Sequence, residues 1–130
     1  KNNSSAYLKN FLNYIFIGEE NEAVNELKTC WEKMYENSNF VMQIDKAYNK
    51  GGVNDVYKWL VDYEKETSEM YSTARYYALL EDKENVIIWL EKCYDQHDSR
   101  LPYIKSDRLF KDFHSDSRFQ AILFKMNLGD

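Results

Sequence analysis

The segments "DVYKWL" from Asp55 and "NVIIWL" from Asn85 share a Val, two residues, then Trp-Leu. The shared positions are Val56/Trp59/Leu60 and Val86/Trp89/Leu90, thirty residues apart. A period of this size marks chains built from small repeated supersecondary units, and it restricts the fold before any other feature does. Superposing the two frames also aligns Tyr63 with Cys93, Ala47 with Tyr77 and Gly51 with Glu81. A third copy lies upstream, with Tyr14, Gly18, Ala23, Leu27 and Cys30 in the corresponding places.

Each copy reads as a helical hairpin. A first helix ends near Gly18, near Gly51-Gly52, or at "EDKE", where Glu81, Asp82 or Lys83 has to make the turn that glycine makes elsewhere. Acidic or Asn residues open the second helix: Glu19, Glu20 and Asn21; Asn54 and Asp55; Glu84 and Asn85. They suit free N–H groups and the helix dipole. Apolar residues then recur at helical spacing, as in Ala23, Leu27, Cys30, Trp31 and Met34. A lone hairpin cannot bury such a stripe, so neighbours must stack. The spacing predicts helices over 5–17, 21–36, 39–50, 53–66, 68–80 and 84–96. The expected fold is all-α, an α–α superhelix of three hairpins (4–36, 37–66, 67–98) with a C-terminal cap over 99–130. In the cap, Pro102 forces a turn at 101–105, a turn or helical turn follows at 107–112, and a last helix over 115–126 is capped by Ser115. Phe119, Ile122, Leu123 and Met126 form its buried stripe.

Composition agrees. Four Gly and one Pro leave little for the turns of a sandwich or barrel, and 44% hydrophobic residues argue for an ordered core. No apolar run of about 18 residues is present to cross a membrane as a helix. A net charge of −5, with acidic residues concentrated between Asp62 and Asp95, gives no basic stripe for a phosphate backbone. Nucleic-acid binding by this domain is therefore not expected, nor is membrane insertion. The opening "KNNSS" reads as the cut edge of a longer protein.

Neither G-x-S-x-G nor G-x-x-x-x-G-K-[ST] occurs, and neither His97 nor His114 lies in an H-E-x-x-H frame. Cys93 and His97 share a helical face, but two ligands do not close a zinc site. Cys30 and Cys93 read as buried, reduced thiols. The expectation is no catalytic residues, no cofactor and no metal. Trp59 and Trp89, at repeated positions, read as core, with stacking platforms for a ligand as the alternative. Pro102, Tyr103, Phe110 and Phe113 read as a cap over the last hairpin, or as a small-ligand pocket beneath it.

Two surfaces remain as binding candidates. The first helices of stacked hairpins line a groove, and their outward positions are Ser38, Val41, Asp45, Tyr48 and Asn49, then Ser68, Tyr71, Arg75, Ala78 and Leu79. Among these, Val41, Asp45, Tyr48, Asn49, Tyr71 and Arg75 carry the chemistry to hold a peptide: amide, carboxylate, phenol and guanidinium. The first helix is apolar nearly all round. Leu8, Leu12, Ile15 and Phe16 form an edge for an upstream repeat or for a second copy of the chain.

The hairpin pattern resembles the tetratricopeptide repeats, through Tyr14, Gly18, Ala23 and Leu27 in the first unit, Gly51 and Leu60 in the second, and Ala74, Tyr77, Leu90 and Cys93 in the third. From Ala47 to Leu128, "WLEKCY" followed by "LPYIKSDRLFKDFHSDSRFQAILFKMNL" resembles the closing tail of repeat regions in bacterial regulatory proteins. That tail usually carries Asp-Pro where this chain has Asp107-Arg108 and Asp116-Ser117. The resemblance implies a non-catalytic protein-interaction module in a cytoplasmic regulator, including regulators of transcription. Self-association through the first helix and small-ligand sensing are the alternatives.

Overall fold

The structure, a computed structural model, describes residues 4–35, 38–67 and 69–127, with the side chains at 4–8, 34, 35 and 38 outside the description. It is all-helical: α1 (Ser4–Phe16), α2 (Glu20–Tyr35), α3 (Ser38–Glu66), α4 (Met70–Leu79), α5 (Lys83–Asp95), two 3-10 helices, η1 (Leu101–Lys105) and η2 (Arg108–Phe113), and α6 (Ser117–Lys125). Among the described residues there is no strand, and no helix is long and apolar enough to cross a membrane. The chain divides into two compact units, Lys1–Val56 and Tyr57–Asp130, with the boundary inside α3.

The first unit is built around α2. Helix α1 packs on it as a hairpin. Gly18, at φ 83°, closes the turn between them: its N–H donates to the Ile15 carbonyl at 3.1 Å and the Glu19 N–H to the Tyr14 carbonyl at 2.9 Å. These bonds satisfy carbonyls that the helix end would otherwise leave open. Phe11, Ala23, Val24, Leu27 and Cys30 fill the interface. The start of α3 also meets α2, through Trp31 stacked on Phe40 at 4.0 Å between ring centroids.

Helix α3 is not one rod. Gly51 (φ −147°, ψ 20°) and Gly52 (φ 74°, ψ −159°) interrupt it, and the Gly52 conformation is open essentially to glycine alone. The expected break between 39–50 and 53–66 is therefore present, without a separate loop.

In the second unit α4 packs on α5. Glu81 makes the turn, at φ 59°, with the same pair of bonds seen at Gly18: Glu81 N–H to Ala78 at 3.0 Å and Asp82 N–H to Tyr77 at 3.0 Å. Asp82 then caps α5 by accepting from the Asn85 N–H at 3.3 Å. The cap expected after 99 follows the same plan. Segment η2 lies against α4, α6 lies against α5, and η1 touches both α5 and η2. Glu84 bonds Arg118 at 2.8 Å at the starts of α5 and α6, and the Lys125 ammonium lies 5.2 Å from the Tyr94 ring at their ends, so the two helices run parallel.

Burial shows what the period encodes. Ala23, Val56, Val86 and Phe119 are each 0% exposed, and Leu27, Leu60, Leu90 and Leu123, four residues on, are all buried. Phe11, Ile44 and Ala74, twelve residues before the first three, are also fully buried. The cap thus carries a fourth copy of the frame, with Phe119 and Leu123 in the places of Val86 and Leu90.

Two expectations change. Trp59 and Trp89 are half-buried rather than core. The Trp59 indole stacks on Tyr63 at 5.3 Å, and the ammoniums of Lys92 and Lys65 lie 4.9 Å and 6.0 Å from the Trp89 ring. Each indole sits at the rim, one residue before the buried Leu, where a large ring can cover the core with one face and meet water with the other. The last helix begins at Ser117, not 115. Asp116, in an extended conformation, accepts from the Arg118 N–H at 2.8 Å and takes the role expected of Ser115. Asp107 caps η2 in the same way through the Leu109 N–H at 3.1 Å. Arg108 and Ser117 thus occupy first helical positions that also suit proline, and aspartate makes both turns without it.

If α6 is part of the core, Leu123→Ala should cost about 2–5 kcal/mol, as a fully buried Leu90→Ala should. Denaturant unfolding of the two variants checks this. A Leu123 variant as stable as the parent would show that α6 is an appendage.

Candidate functional site

The expected groove residues fall in both units. In the first unit Val41, Asp45, Tyr48 and Asn49 lie on one face of the first part of α3. Asp45 pairs with Lys28 of α2 at 2.6 Å. The Tyr48 hydroxyl donates to the Asn21 side-chain oxygen at the start of α2. Val41 is half-buried and Asn49 is exposed. The carboxylate and phenol are thus held by α2, between an apolar contact and an open amide. Ser38 and Ser68 lie outside the described side chains.

In the second unit the expectation of an outward face is corrected. Tyr71 is buried, and its hydroxyl donates to Asp107 Oδ2 at 2.7 Å. Arg75 Nε stands 3.1 Å from the same oxygen, close enough for an ion pair although not aligned for a hydrogen bond. Ala78 is buried and Leu79 half-buried. Tyr71 and Arg75 are therefore spent on the chain itself. They clasp η2 to α4 through one carboxylate that also caps η2. Burial, and then the adjacent Asp107 charge, push the Tyr71 phenol well above its ordinary range, so it stays a donor.

A second set of polar contacts extends the clasp. Arg100, in the turn before η1, donates to Glu69 Oε1 at 3.0 Å and to Ser72 Oγ at 3.3 Å, and lies 3.5 Å from Asp98 Oδ1. Its guanidinium sits 5.3 Å from the Tyr71 ring. At the far end of the cap Arg118 bonds both Asp116 and Glu84. That contact holds the Asp116 carboxyl down at about 2 and the Glu84 carboxyl below its usual range.

The residues expected beneath the cap divide between core and surface. Phe110 and Phe113 are buried, with Phe110 edge-on to Tyr71 at 5.8 Å and 6.3 Å from Phe119, while Pro102 and Tyr103 are exposed. Of the proposed self-association edge, Leu12 is buried within its own unit, Ile15 is half-buried, Phe16 is 38% exposed and Leu8 lies outside the described side chains. Ile17, just past the end of α1, is 69% exposed. Cys30 and Cys93 are free and buried, and burial pushes the Cys93 thiol up to about 12, which makes it a poor nucleophile. Among the described residues no three His, Cys, Asp or Glu side chains gather as a metal would require.

Comparison of the chain with protein-family models, with curated proteins and with solved structures finds no match in any of the three.

Sequence reading missed Asp107, Arg100 and Glu69 as a group. The available signal was the recurrence of Ser-Asp in Ser106-Asp107 and Ser115-Asp116, which marks helix starts but not their distant partners. Asp107→Ala removes the η2 cap and leaves Arg75 and Tyr71 without their acceptor. It should cost on the order of 3 kcal/mol, against about 1 kcal/mol for Tyr71→Phe. Denaturant unfolding checks the order. A Tyr71→Phe loss equal to that of Asp107→Ala would contradict the shared-carboxylate arrangement.

Proposed function

We propose that this chain is a non-catalytic protein-interaction module of a regulatory protein, built from tetratricopeptide-like hairpins and working in the cytoplasm. The observation that carries the reading is the face of α3 bearing Val41, Asp45, Tyr48 and Asn49. Its carboxylate and phenol are positioned by Lys28 and Asn21 before any ligand arrives. Pre-positioned side chains lose less entropy on binding, and an exposed Asn can bracket a peptide backbone with one donor and one acceptor. The partner in this reading is an extended peptide segment of another protein or of the chain's own upstream domains.

The test starts from capture of partners on the full chain, followed by titration of the captured peptide. Val41→Ala combined with Asn49→Ala should weaken binding at least about tenfold, a loss of roughly 1.4 kcal/mol, with the melting temperature nearly unchanged. Equal affinity for variant and parent would remove this face as the site. Arg75→Ala is not a binding probe, because that side chain holds the clasp.

A second reading is self-association, favoured by Phe16 and Ile17, adjacent and exposed at the end of α1. Leu12 is too buried to test it. Phe16→Glu with Ile17→Glu should convert a dimer to a folded monomer in light scattering across a dilution series. A parent chain that stays monomeric at high concentration would end this alternative.

A further inference from the structure

Glu64, near the end of α3, is the one buried carboxylate among the described residues, 8% exposed. Its Oε1 accepts one hydrogen bond, from the Thr67 hydroxyl at 3.1 Å, and the same hydroxyl reaches the Glu64 main-chain carbonyl. That carbonyl also accepts from the Glu69 N–H at 3.1 Å, so residue 64 closes the turn from α3 into α4. No ion pair among the described residues includes it. A buried carboxylate served by one neutral donor is poorly compensated when ionised.

The charged groups that bear on Glu64 come from three places. Glu69, just before α4, adds like charge. Arg100, in the turn before η1, offers the opposite charge, but it is already engaged by Glu69, Asp98 and Ser72. On α3 itself the Lys65 ammonium is directed to the Tyr77 and Trp89 rings, at 5.3 and 6.0 Å. Among the described residues Arg100 is the cation whose charge bears on Glu64, and a move toward that carboxylate would take it from partners that hold the cap.

We propose that Glu64 is a proton switch: protonated, it leaves the α3–α4 turn closed and Arg100 on Glu69 and Asp98; ionised, it draws Arg100 off those partners and loosens the link between α4 and the turn before η1. Burial raises the Glu64 carboxyl to about 7, with Thr67 and Arg100 pulling it down and Glu69 pushing it up. The sign follows from linkage. The folded chain holds this proton more tightly than an unfolded chain, where a glutamate titrates near about 4.3. The stabilisation is complete below that value, falls as pH rises toward 7, and is gone above it. Asp116 acts in the opposite sense but only in strong acid, since its carboxyl is held at about 2. The interval from pH 5 to 8 therefore isolates Glu64 from it.

The experiment uses the full chain and two readouts. Thermal melting from pH 5 to pH 8 should fall by about 5 °C or more in the parent. In Glu64→Gln, which mimics the protonated form and leaves both histidines in place, that pH dependence should be absent or much reduced. Carbon-13 NMR of the glutamate carboxyls in the parent should show one resonance titrating near 7 that is missing from the variant, with the Arg100 side-chain N–H signal moving at the same midpoint. A Glu64 carboxyl that titrates in the ordinary carboxylate range overturns the proposal, whether or not the variant folds. So does a titration near 7 that leaves the Arg100 signal still.

Discussion

The first fully buried side chain after each turn or break in the helices is the constraint on which the rest depends. A helix that has just left a turn has free N–H groups at its start and can bury nothing there until a capping group serves them. Its first core residue comes one turn later, and the next comes four residues beyond, on the same face. Ala23, Val56, Val86 and Phe119 hold the first place, and Leu27, Leu60, Leu90 and Leu123 the second. The turn can vary because this relation does not. Gly18 and Glu81 use left-handed backbone five residues before the buried position, Gly52 uses it four before, and the cap uses none there but an Asp116 carboxylate instead. What the period demands is a turn at a set distance from a buried pair, not a particular residue in the turn.

Polar groups do a different job in each unit. In the first, Lys28 and Asn21 fix side chains that remain at the surface, so their order is available to a partner. In the second, Asp107 gathers Tyr71, Arg75 and the start of η2 into one contact, and Arg100 ties α4 to the preceding turn. A 3-10 helix has poor hydrogen-bond geometry and short reach. The polar clasp and the Phe110 ring together supply what its backbone lacks.

The helices and the breaks between them are legible because their information is local. Val56 and Leu60, or Ala23 and Leu27, lie on one helix, and four-residue spacing reports a common face directly. The fourth frame was partly hidden: Phe119 stands where the others carry Ala or Val, and Pro102 with two 3-10 turns replaces the first helix. Trp59 and Trp89 misled because a conspicuous aromatic at a repeated position suggests core, whereas the neighbouring Leu is the residue the core needs. Tyr71 and Arg75 occupy helical positions that match those of Val41 and Asp45, so the sequence alone suggests a shared groove. Their partner lies more than thirty residues away, and no local pattern announces it. Glu64 was illegible for the opposite reason: within "VDYEKE" it is one acid among several, and only the packing around it sets it apart.

Backbone amide hydrogen exchange, resolved residue by residue, tests the repeated turn-and-frame relation most directly. The account predicts strong protection at Ile44, Leu60, Leu90 and Leu123, and fast exchange just after each turn, including Val53 and Asn54 in the middle of α3. The break at Gly51-Gly52 is the decisive place, because the chain there is otherwise continuous helix. Protection running unbroken from Ile44 through Leu60 would contradict the account, since it would mean one straight helix in place of a turn followed by the buried Val56–Leu60 frame.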